Sequence, residues 1–335
     1  MATIKEVAEY AGVSVATVSR VVNNTGRVSP ELRRRVLAAM DALNYQPSAL
    51  ARSLRRRRTQ TVGILVPQLD HPFFSSLAFA IERKLFSEHY HALICSAEEN
   101  QEKEDAYIEM LIRQRVNGVI LVPTGQSAEN VHRLLEQQVP VVLADRDLPD
   151  LAISRVLNDN FHGGYEGARH LLSLGHRRIG VIGGPDYSYP MRQRINGIRQ
   201  AFRDARVAHD PDLMSIGTLQ QFEMGYTAAR SLLSKSPRPT AIFALTDVMA
   251  VGVLHAAYEE GLRLPEELSV MGFDDIPLAS YSIPELTTIA QPIYDMGESA
   301  ARILLRQMQK PDSPVESVML QTRLIVRQST VPPPA

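Results

Sequence analysis

Short runs of consecutive apolar residues alternate with longer amphipathic segments through most of the chain after residue 60. The apolar runs cover residues 62–67, 92–97, 118–123, 139–145, 178–184, 241–245 and 268–275. Segments with the spacing of a helix lie between them, at 72–88, 103–115, 128–137, 164–174, 192–205 and 249–260. Continuous apolar strands separated by helices are typical of parallel, doubly wound sheets, and the restart of the pattern after residue 160 predicts two of them.

The first 46 residues have a different pattern, with three short helical segments separated by turn residues. Thr3 and Glu6 fit a capping box at the start of the first helix, and a glycine at position 12 ends it. Ser14 is a suitable N-cap for a second helix over 15–23, and a Ser-Pro-Glu sequence begins a third. Two short helices joined by a tight turn predict a helix-turn-helix, whose second helix enters the major groove of DNA.

The exposed side chains of this second helix are candidates for reading base edges. Val15 and Ala16 are suited to thymine methyl groups, and Arg20 to bidentate recognition of guanine, although Arg20 could also be a surface salt-bridge partner. Thr17 and Ser19 are expected to be exposed beside them. The residues predicted to contact DNA from the headpiece are Thr3, Ser14, Val15, Ala16, Thr17, Ser19, Arg20 and Asn23.

Residues 47–59 are predicted to form a hinge between this headpiece and an α/β body over 60–335. Pro47 ends the third helix, and two further helical turns are too short to be stable alone. Leu54 is a candidate wedge between base pairs in the minor groove, with arginines on the phosphates. A solvated linker is the alternative. The predicted hinge contacts are Ala51, Arg52, Leu54 and Arg55.

The two ends of the chain differ in net charge. Residues 1–60 contain eleven Lys and Arg against four acids, whereas the remainder contains 25 against 33, so a net charge of −1 averages +7 and −8. Such asymmetry favours a nucleic-acid-binding module joined to an acidic body, with a solvated basic helix as the alternative.

Several classes of protein are disfavoured by what the sequence contains. The sequence contains no apolar run of 18 residues, so no membrane span is predicted. The first residues have no basic-then-apolar leader. A single cysteine, Cys95, fits a reducing cytoplasm, where we expect the protein beside the chromosome. The nine histidines lack metal-ligand spacing, and no phosphate-loop, dinucleotide or nucleophile-elbow motif predicts an enzyme or a cofactor.

Polar residues follow several of the predicted strands, at the ends that are expected to face a cleft between the two sheets. They are Asp145 and Arg146, Asp247, Asp274 and Asp275, and Gln291. Carboxylates accept hydroxyl hydrogens and guanidinium groups donate, while nearby phenylalanines can cover an apolar ring face. The cleft is therefore predicted to hold a polyhydroxyl ligand, although each residue alone could be a helix cap, a surface residue or part of the core.

The sequence MATIKEVAEYAGVSVATVSRVVN, followed by LNYQPSALARSL, resembles the headpiece and hinge of the lactose/galactose-repressor (LacI/GalR) family. The resemblance covers essentially the whole chain and looks closest to ribose repressors. It implies two parallel-sheet subdomains of the periplasmic-binding-protein type, one mainly in 60–160 and one mainly in 161–290, with crossovers near 160, 290 and 320. It also implies a homodimer on pseudopalindromic operator DNA, with Leu54 intercalating. The carboxyl end has no leucine heptad, so a dimer is the default.

Carried over by position, the resemblance implies that a small effector binds in the cleft and controls operator affinity. The implied ligand-binding residues are His71, Phe73, Phe74, Asp145, Arg146, Arg194, Phe222, Thr246, Asp274 and Gln291. His71 and Thr246 stand where ribose binders usually carry asparagine. A pentose such as ribose, or a related sugar, is the first expectation, and a purine corepressor or phosphoprotein effector is the alternative. A sugar receptor or a sugar-modifying enzyme fits less well.

Overall fold

The computed structural model describes residues 2–22, 25–45, 60–148, 150–185, 188–217 and 221–334. The chain divides into two units, Met1–Thr59 and Gln60–Ala335. Five of the predicted DNA contacts lie outside the described residues, namely Asn23, Ala51, Arg52, Leu54 and Arg55.

The first unit contains three helices: α1 (Ile4–Ala11), α2 (Val15–Val22) and α3 (Pro30–Ala42). The predicted capping box is present, since the Thr3 hydroxyl accepts from the Glu6 amide at 3.3 Å while the Thr3 amide donates to the Glu6 carboxylate at 2.7 Å. Gly12 ends α1 in the left-handed region, at φ 61°. The three helices enclose a small core of Val7, Ala8, Ala11, Val18, Val21, Val36 and Ala39.

The second unit contains two six-stranded sheets. The first has the strand order β11-β5-β4-β3-β1-β2 and is parallel throughout. Its strands are β1 (Thr61–Val66), β2 (His91–Ser96), β3 (Gly118–Leu121), β4 (Val141–Ala144), β5 (Ser154–Asn158) and β11 (Ser317–Leu320). Its helices are α4 (Pro72–Ser87), α5 (Gln101–Arg113), α6 (Glu129–Glu136) and α12 (Ile293–Gln309). Helices α4 and α12 pack together over one core, and α5 and α6 cover another.

The second sheet repeats this order as β12-β10-β9-β8-β6-β7, with only its added edge strand β12 antiparallel. Its strands are β6 (Ile179–Gly183), β7 (Met214–Ile216), β8 (Ala241–Ala244), β9 (Ser269–Asp274), β10 (Thr287–Ala290) and β12 (Arg323–Ile325). Its helices are α7 (Asn160–Ser173), α8 (Tyr189–Asp204), α9 (Phe222–Leu233), α10 (Asp247–Glu259) and α11 (Leu278–Tyr281). The predicted fold class, a helix-turn-helix with two doubly wound parallel sheets, is confirmed.

The chain passes between the two sheets three times: from β5 to α7, from β10 to α12 and from β11 to β12. Polar contacts join these crossovers to one another. The Asn158 amide donates to Gln291, and the Thr322 hydroxyl donates to the Asp159 carbonyl at 3.2 Å. The crossovers therefore hold the carboxyl ends of the two sheets beside a shared cleft. Within the described part of the chain, no helix has the length and apolarity needed to cross a membrane.

Candidate functional site

The first turn of α2 presents small apolar side chains to solvent. Ser14 caps the helix, because its Oγ accepts from the Thr17 amide at 3.1 Å. Val15, the first residue of the helix, is 42% exposed, and Ala16 beside it is also exposed. Arg20 is exposed one turn further on. Side chains of these types, exposed on one helix, are able to contact thymine methyl groups and a guanine edge.

One of the predicted contacts on α2 needs correction. Ser19 was expected at the exposed surface, yet it is only 7% exposed. It lies three residues before Val22, which packs against the headpiece core, and residues three apart share a helix face. Ser19 therefore faces the interior of the headpiece, while Thr17 is half-buried.

The body has a small cavity, which we call the cleft cavity, between the carboxyl ends of its two sheets. Its free volume is about 10 Å³, which corresponds to about one water molecule. It is lined by His71, Phe73, Phe74, Asp145, Arg146, Ser188, Pro190, Met191, Arg194 and Asp274. Residues of both subdomains therefore meet at one point.

Two buried aspartates face each other across this cavity. Asp145 directly follows β4 and Asp274 ends β9, and both have the positive φ angles, 62° and 122°, that side chains rarely adopt. Oδ1 of Asp145 and Oδ2 of Asp274 have no hydrogen-bond partner among the described residues. Burial raises the pKa of both carboxyl groups. Strained backbone and unpaired buried oxygens are features of ligand sites.

Arg194 supplies the positive charge on the side of the second subdomain. Its guanidinium donates to the Asn160 side chain at 2.8 Å and the Leu245 carbonyl at 2.5 Å, and lies 3.5 Å from Asp274. It also covers the Phe273 ring at 3.7 Å from the centroid. The fully buried guanidinium is therefore held in a single direction.

Helix packing fixes the backbone of Arg194 as well. A Cβ atom on Gly164 would come within 2.1 Å of the Arg194 carbonyl oxygen, so only glycine lets α7 approach α8 this closely. Backbone contact between the two helices sets the height of Arg194 above the sheet.

Arg146 lies on the opposite side and is turned toward its own subdomain. It forms a bidentate pair with Glu99, with distances of 2.9 and 2.5 Å, and also donates to the Pro123 carbonyl at 3.1 Å. Its guanidinium lies 5.6 Å from the Phe74 ring centroid. Arg146 therefore orders the loops around the cavity as well as lining it.

His71 adds a hydrogen-bond donor to the cavity. Burial, followed by the charges of Arg194 and Arg146, lowers its pKa to about 4, so the ring is neutral at pH 7. Its Nδ1 accepts from the Phe73 amide at 3.3 Å, which leaves the ring proton on Nε2. Nε2 has no partner within the described chain, so an N–H group is available to a ligand.

A polar network behind the cavity connects it to the crossovers. Gln291 donates to Oδ1 of Asp274 at 2.6 Å and accepts from Asn158. Asp247 lies nearby, accepts from the Thr288 hydroxyl at 2.6 Å and the Ile276 amide at 2.9 Å, and has its pKa raised to about 7 by burial. Gln291 therefore holds Oδ1 of Asp274 in place, and Oδ2 remains available to a ligand.

The structure brings seven of the ten predicted ligand residues to the cavity and leaves three away from it. Gln291 acts through Asp274, and the Thr246 hydroxyl caps α10 by accepting from the Met249 amide at 3.2 Å. Phe222 is 44% exposed and lines a separate surface pocket with Tyr226 and His255. Sequence reasoning missed Ser188, Pro190 and Met191, whose only local signal is the proline in the first turn of α8.

Comparisons with known families agree with both halves of this description. Residues 3–48 match the family model for bacterial regulatory proteins of the lacI family, and residues 168–330 match a periplasmic binding protein-like domain. A helix-turn-helix joined to a two-sheet body with a polar cleft defines a ligand-responsive DNA-binding regulator.

Whole-length relatives make the assignment more specific. The chain is 38% identical to the HTH-type transcriptional regulator DegA of Bacillus subtilis, over 98% of each chain. It is 37% identical to the repressor PurR of Photorhabdus laumondii, over 100% of this chain and 98% of that one, and 35% identical to the ribose operon repressor of Haemophilus influenzae, over 98% of each.

Solved structures give the same result. A lac repressor dimer bound to operator and an anti-inducer has 28% identity and a TM-score of 0.87, over 98% of this chain and 99% of that one. A LacI family regulator from Enterococcus faecium with bound ribose has 33% identity and a TM-score of 0.75, over 81% and 99%. The chain belongs to the lacI family of bacterial regulatory proteins. It is a DNA-binding transcriptional repressor, and its relatives are regulators, not enzymes.

Proposed function

We propose that a small neutral sugar, a pentose such as ribose or a related sugar, binds in the cleft cavity and controls the affinity of this repressor for its operator. The observation that carries the proposal is the convergence of three buried polar atoms that have no partner among the described residues: His71 Nε2, Asp145 Oδ1 and Asp274 Oδ2. They offer one donor and two acceptors from both subdomains, which suits a ring that carries several hydroxyl groups.

The charge balance supports a neutral ligand over a phosphorylated one. Arg146 is already paired with Glu99, and Arg194 with Asp274. A phosphate group would have to displace these carboxylates from their arginines. Phe73 and Phe74, at 5.1 Å between ring centroids and nearly perpendicular, add an apolar wall for the carbon face of a sugar.

The size of the cavity indicates how the ligand would act. A cavity of about 10 Å³ is too small for a sugar, so we expect the two subdomains to separate for ligand entry and to close again around the ligand. A ligand that prefers one of these arrangements shifts the equilibrium between them in proportion to its differential affinity. Induction is the expected sign for a sugar, and corepression for a purine.

Operator recognition would use a homodimer on a pseudopalindromic site, with α2 of each copy in the major groove and the hinge residues in the minor groove. Exposed apolar side chains on the body support the proposal that a second copy binds there. Phe79 and Phe86 on α4 and Leu93 and Ile94 on β2 are between 37% and 63% exposed. In the second subdomain, Tyr281 at the end of α11 is 83% exposed and Ile283 after it is 94% exposed. A monomer rarely exposes such side chains in groups.

Calorimetric titration of the full chain tests the ligand. We expect a pentose or hexose to bind and to change the anisotropy of a labelled operator selected from random duplexes. Asp145→Ala should abolish the sugar response and leave operator binding intact, whereas Arg20→Ala should weaken operator binding alone. A purine is the alternative that the family resemblance implies, so purine bases belong in the panel. Failure of every sugar to bind would exclude the proposal, and binding of a purine alone would favour the second candidate.

A further inference from the structure

Glu99 is a buried carboxylate that pairs with Arg146 without itself lining the cleft cavity. The side chains of Glu99 and Arg146 are only 8% and 5% exposed. The two carboxylate oxygens accept from both terminal nitrogens of the guanidinium, at 2.9 and 2.5 Å. Arginine uses the same two-point geometry to bind a carboxylate or a phosphate group. Glu99 therefore occupies the nitrogens of Arg146 that an anionic ligand would need.

The backbone of Glu99 is held in a conformation that glutamate rarely adopts. Glu98 and Glu99 both lie in the left-handed region, at φ 53° and 52°, and the Glu99 amide donates to the Pro67 carbonyl at 3.0 Å. The two carboxylates take different directions, because Glu98 is 67% exposed and pairs with Lys103. Unfavourable backbone conformations persist at functional sites, where the surrounding structure holds them. The turn therefore indicates a role for the side chain that it directs to Arg146.

The pair with Glu99 sets the charge that Arg146 presents to a ligand. Arg146 lines the cleft cavity and a larger cavity of about 160 Å³ beside it, so an anionic group has room nearby. Two further acceptors of its guanidinium, the Pro123 and Thr124 carbonyls at 3.1 and 3.3 Å, carry no net charge. Without the charge of Glu99, Arg146 would be a buried cation that gains by pairing with an anion. With Glu99 in place, an anion gains no such partner for the water that it gives up.

We propose that Glu99 determines the specificity of this site for neutral effectors over anionic ones. By pairing with Arg146, it disfavours the phosphate group of a sugar phosphate and the carboxylate of a sugar acid, which arginine would otherwise bind. Glu99 acts through Arg146 and not by contact with the effector, so it is a positioning residue. The inference rests on the proposed function, because it requires a sugar in the cleft cavity.

Calorimetric titration of the full chain with paired probes tests this specificity. Each sugar that binds is compared with its own uronate or phosphate ester, as D-glucose with D-glucuronate and D-ribose with D-ribose 5-phosphate. We expect the wild type to bind the neutral member at least about ten-fold more tightly than the anionic member. Glu99→Gln keeps the size of the side chain and removes its charge. It should lower this ratio at least about ten-fold, mainly by a gain in affinity for the anion.

Three further variants show whether charge and position produce the effect. Glu99→Asp keeps the charge and tolerates a left-handed backbone, so it should keep the preference for the neutral sugar. Glu98→Gln is the matched control, because it removes a neighbouring carboxylate that has the same backbone conformation and pairs with Lys103 instead. It should leave the ratio unchanged. Arg146→Met added to Glu99→Gln should abolish the gain for the anion, since the guanidinium that binds the anion is then absent.

The outcomes distinguish this inference from the proposed function. If neutral sugars bind the wild type and Glu99→Gln weakens both members of a pair alike or changes neither, Glu99 has only a structural role. The inference is then overturned and the proposed function stands. A wild type that binds the anionic member as tightly as the neutral one also overturns the inference, and this measurement does not depend on whether a variant folds. If no sugar binds, or only anionic sugars bind, both are overturned.

Discussion

The two sides of the cleft share the same strand order but differ in the contacts of their buried aspartates. Each sheet has the same order of its five main strands, and the fourth strand of each, β4 and β9, leads to a buried aspartate in a left-handed conformation. Asp274 is held by Gln291 at 2.6 Å and lies beside Arg194, whereas no described group donates to Oδ1 of Asp145. The arginine next to Asp145 is instead turned to Glu99.

This difference assigns different tasks to the two sides. The side with Asp274 is preorganised at Oδ1, which Gln291 and Arg194 contact before a ligand arrives, while its Oδ2 has no partner among the described residues. The side with Asp145 has a free acceptor and depends on the ligand to complete its hydrogen bonds. Changes on the preorganised side should therefore affect folding as well as binding, and changes on the other side should affect mainly binding.

The largest effect on folding is expected for Arg194→Met. The change leaves Asp274 and Asp145 buried with one fewer cation, and it removes the donor to the Leu245 carbonyl. Removing one partner of a buried ion pair typically costs about 3–5 kcal/mol of unfolding free energy. Urea unfolding of the body, followed by circular dichroism, measures it. A loss below about 1 kcal/mol would show that the second side is not preorganised by this pair.

His71 should make the stability of the body depend on pH. Its pKa of about 4 in the folded state is below the value of 6.5 in an unfolded chain, so the unfolded chain binds more protons between these values. The stability is complete above pH 6.5 and is lost as the pH falls toward 4, by an amount on the order of 3 kcal/mol.

His71→Asn should remove this dependence, because asparagine still caps α4 and does not titrate. The raised pKa of Asp247 gives the opposite slope, with stability lost as the pH rises toward about 7. That slope is common to both proteins and cancels in the difference between them. His255→Asn, at an exposed position, is the control. Parallel stability curves for wild type and His71→Asn would contradict the burial of His71.

Local signals explain which parts of the fold could be predicted from the sequence. The capping pairs at Thr3 and Ser29 and the proline at 72 set the starts of α1, α3 and α4. The apolar runs predicted the central strands because those strands are buried on both faces. These signals act within a few residues of one another, so they are visible without the tertiary structure.

The missed elements depend on distant partners. Strand β10 reads as polar, yet Thr287 and Thr288 are buried because their hydroxyls pair with Thr330 and Asp247, more than 40 residues away in sequence. Ser154 at the start of β5 is likewise paired with Gln307 and Glu316. Ser19 was expected to be exposed and is buried, and Phe222 was expected at the cavity and lies away from it. The reason is the same for both, because tertiary packing and not the neighbouring sequence sets their surroundings.

A smaller loss of unfolding free energy than in Arg194→Met is expected for Gln291→Met, which removes the donor that orients Asp274. The substitution keeps the side-chain volume, so the unfolding free energy should fall by about 1–2 kcal/mol. Effector affinity should fall about ten-fold because Asp274 is then free to turn. Gln114→Met, at an exposed helix end, is the matched control. Unchanged effector affinity in Gln291→Met would separate the crossover network from the ligand site.

The smallest effect on folding is expected for Asp145→Asn, the counterpart of Asp274→Asn on the less organised side. Burial raises the pKa of Asp145, so a neutral amide removes the cost of a buried charge while giving up its attraction to Arg146 and Arg194. These terms oppose each other, and the unfolding free energy should change by less than about 1 kcal/mol. Burial raises the pKa of Asp274 as well, but Asp274→Asn should cost about 1–3 kcal/mol more, because it also weakens contacts that Arg194 and Gln291 already make. Equal losses in the two variants would mean that the two sides of the cleft are organised alike, and a larger loss in Asp145→Asn would reverse their assignment.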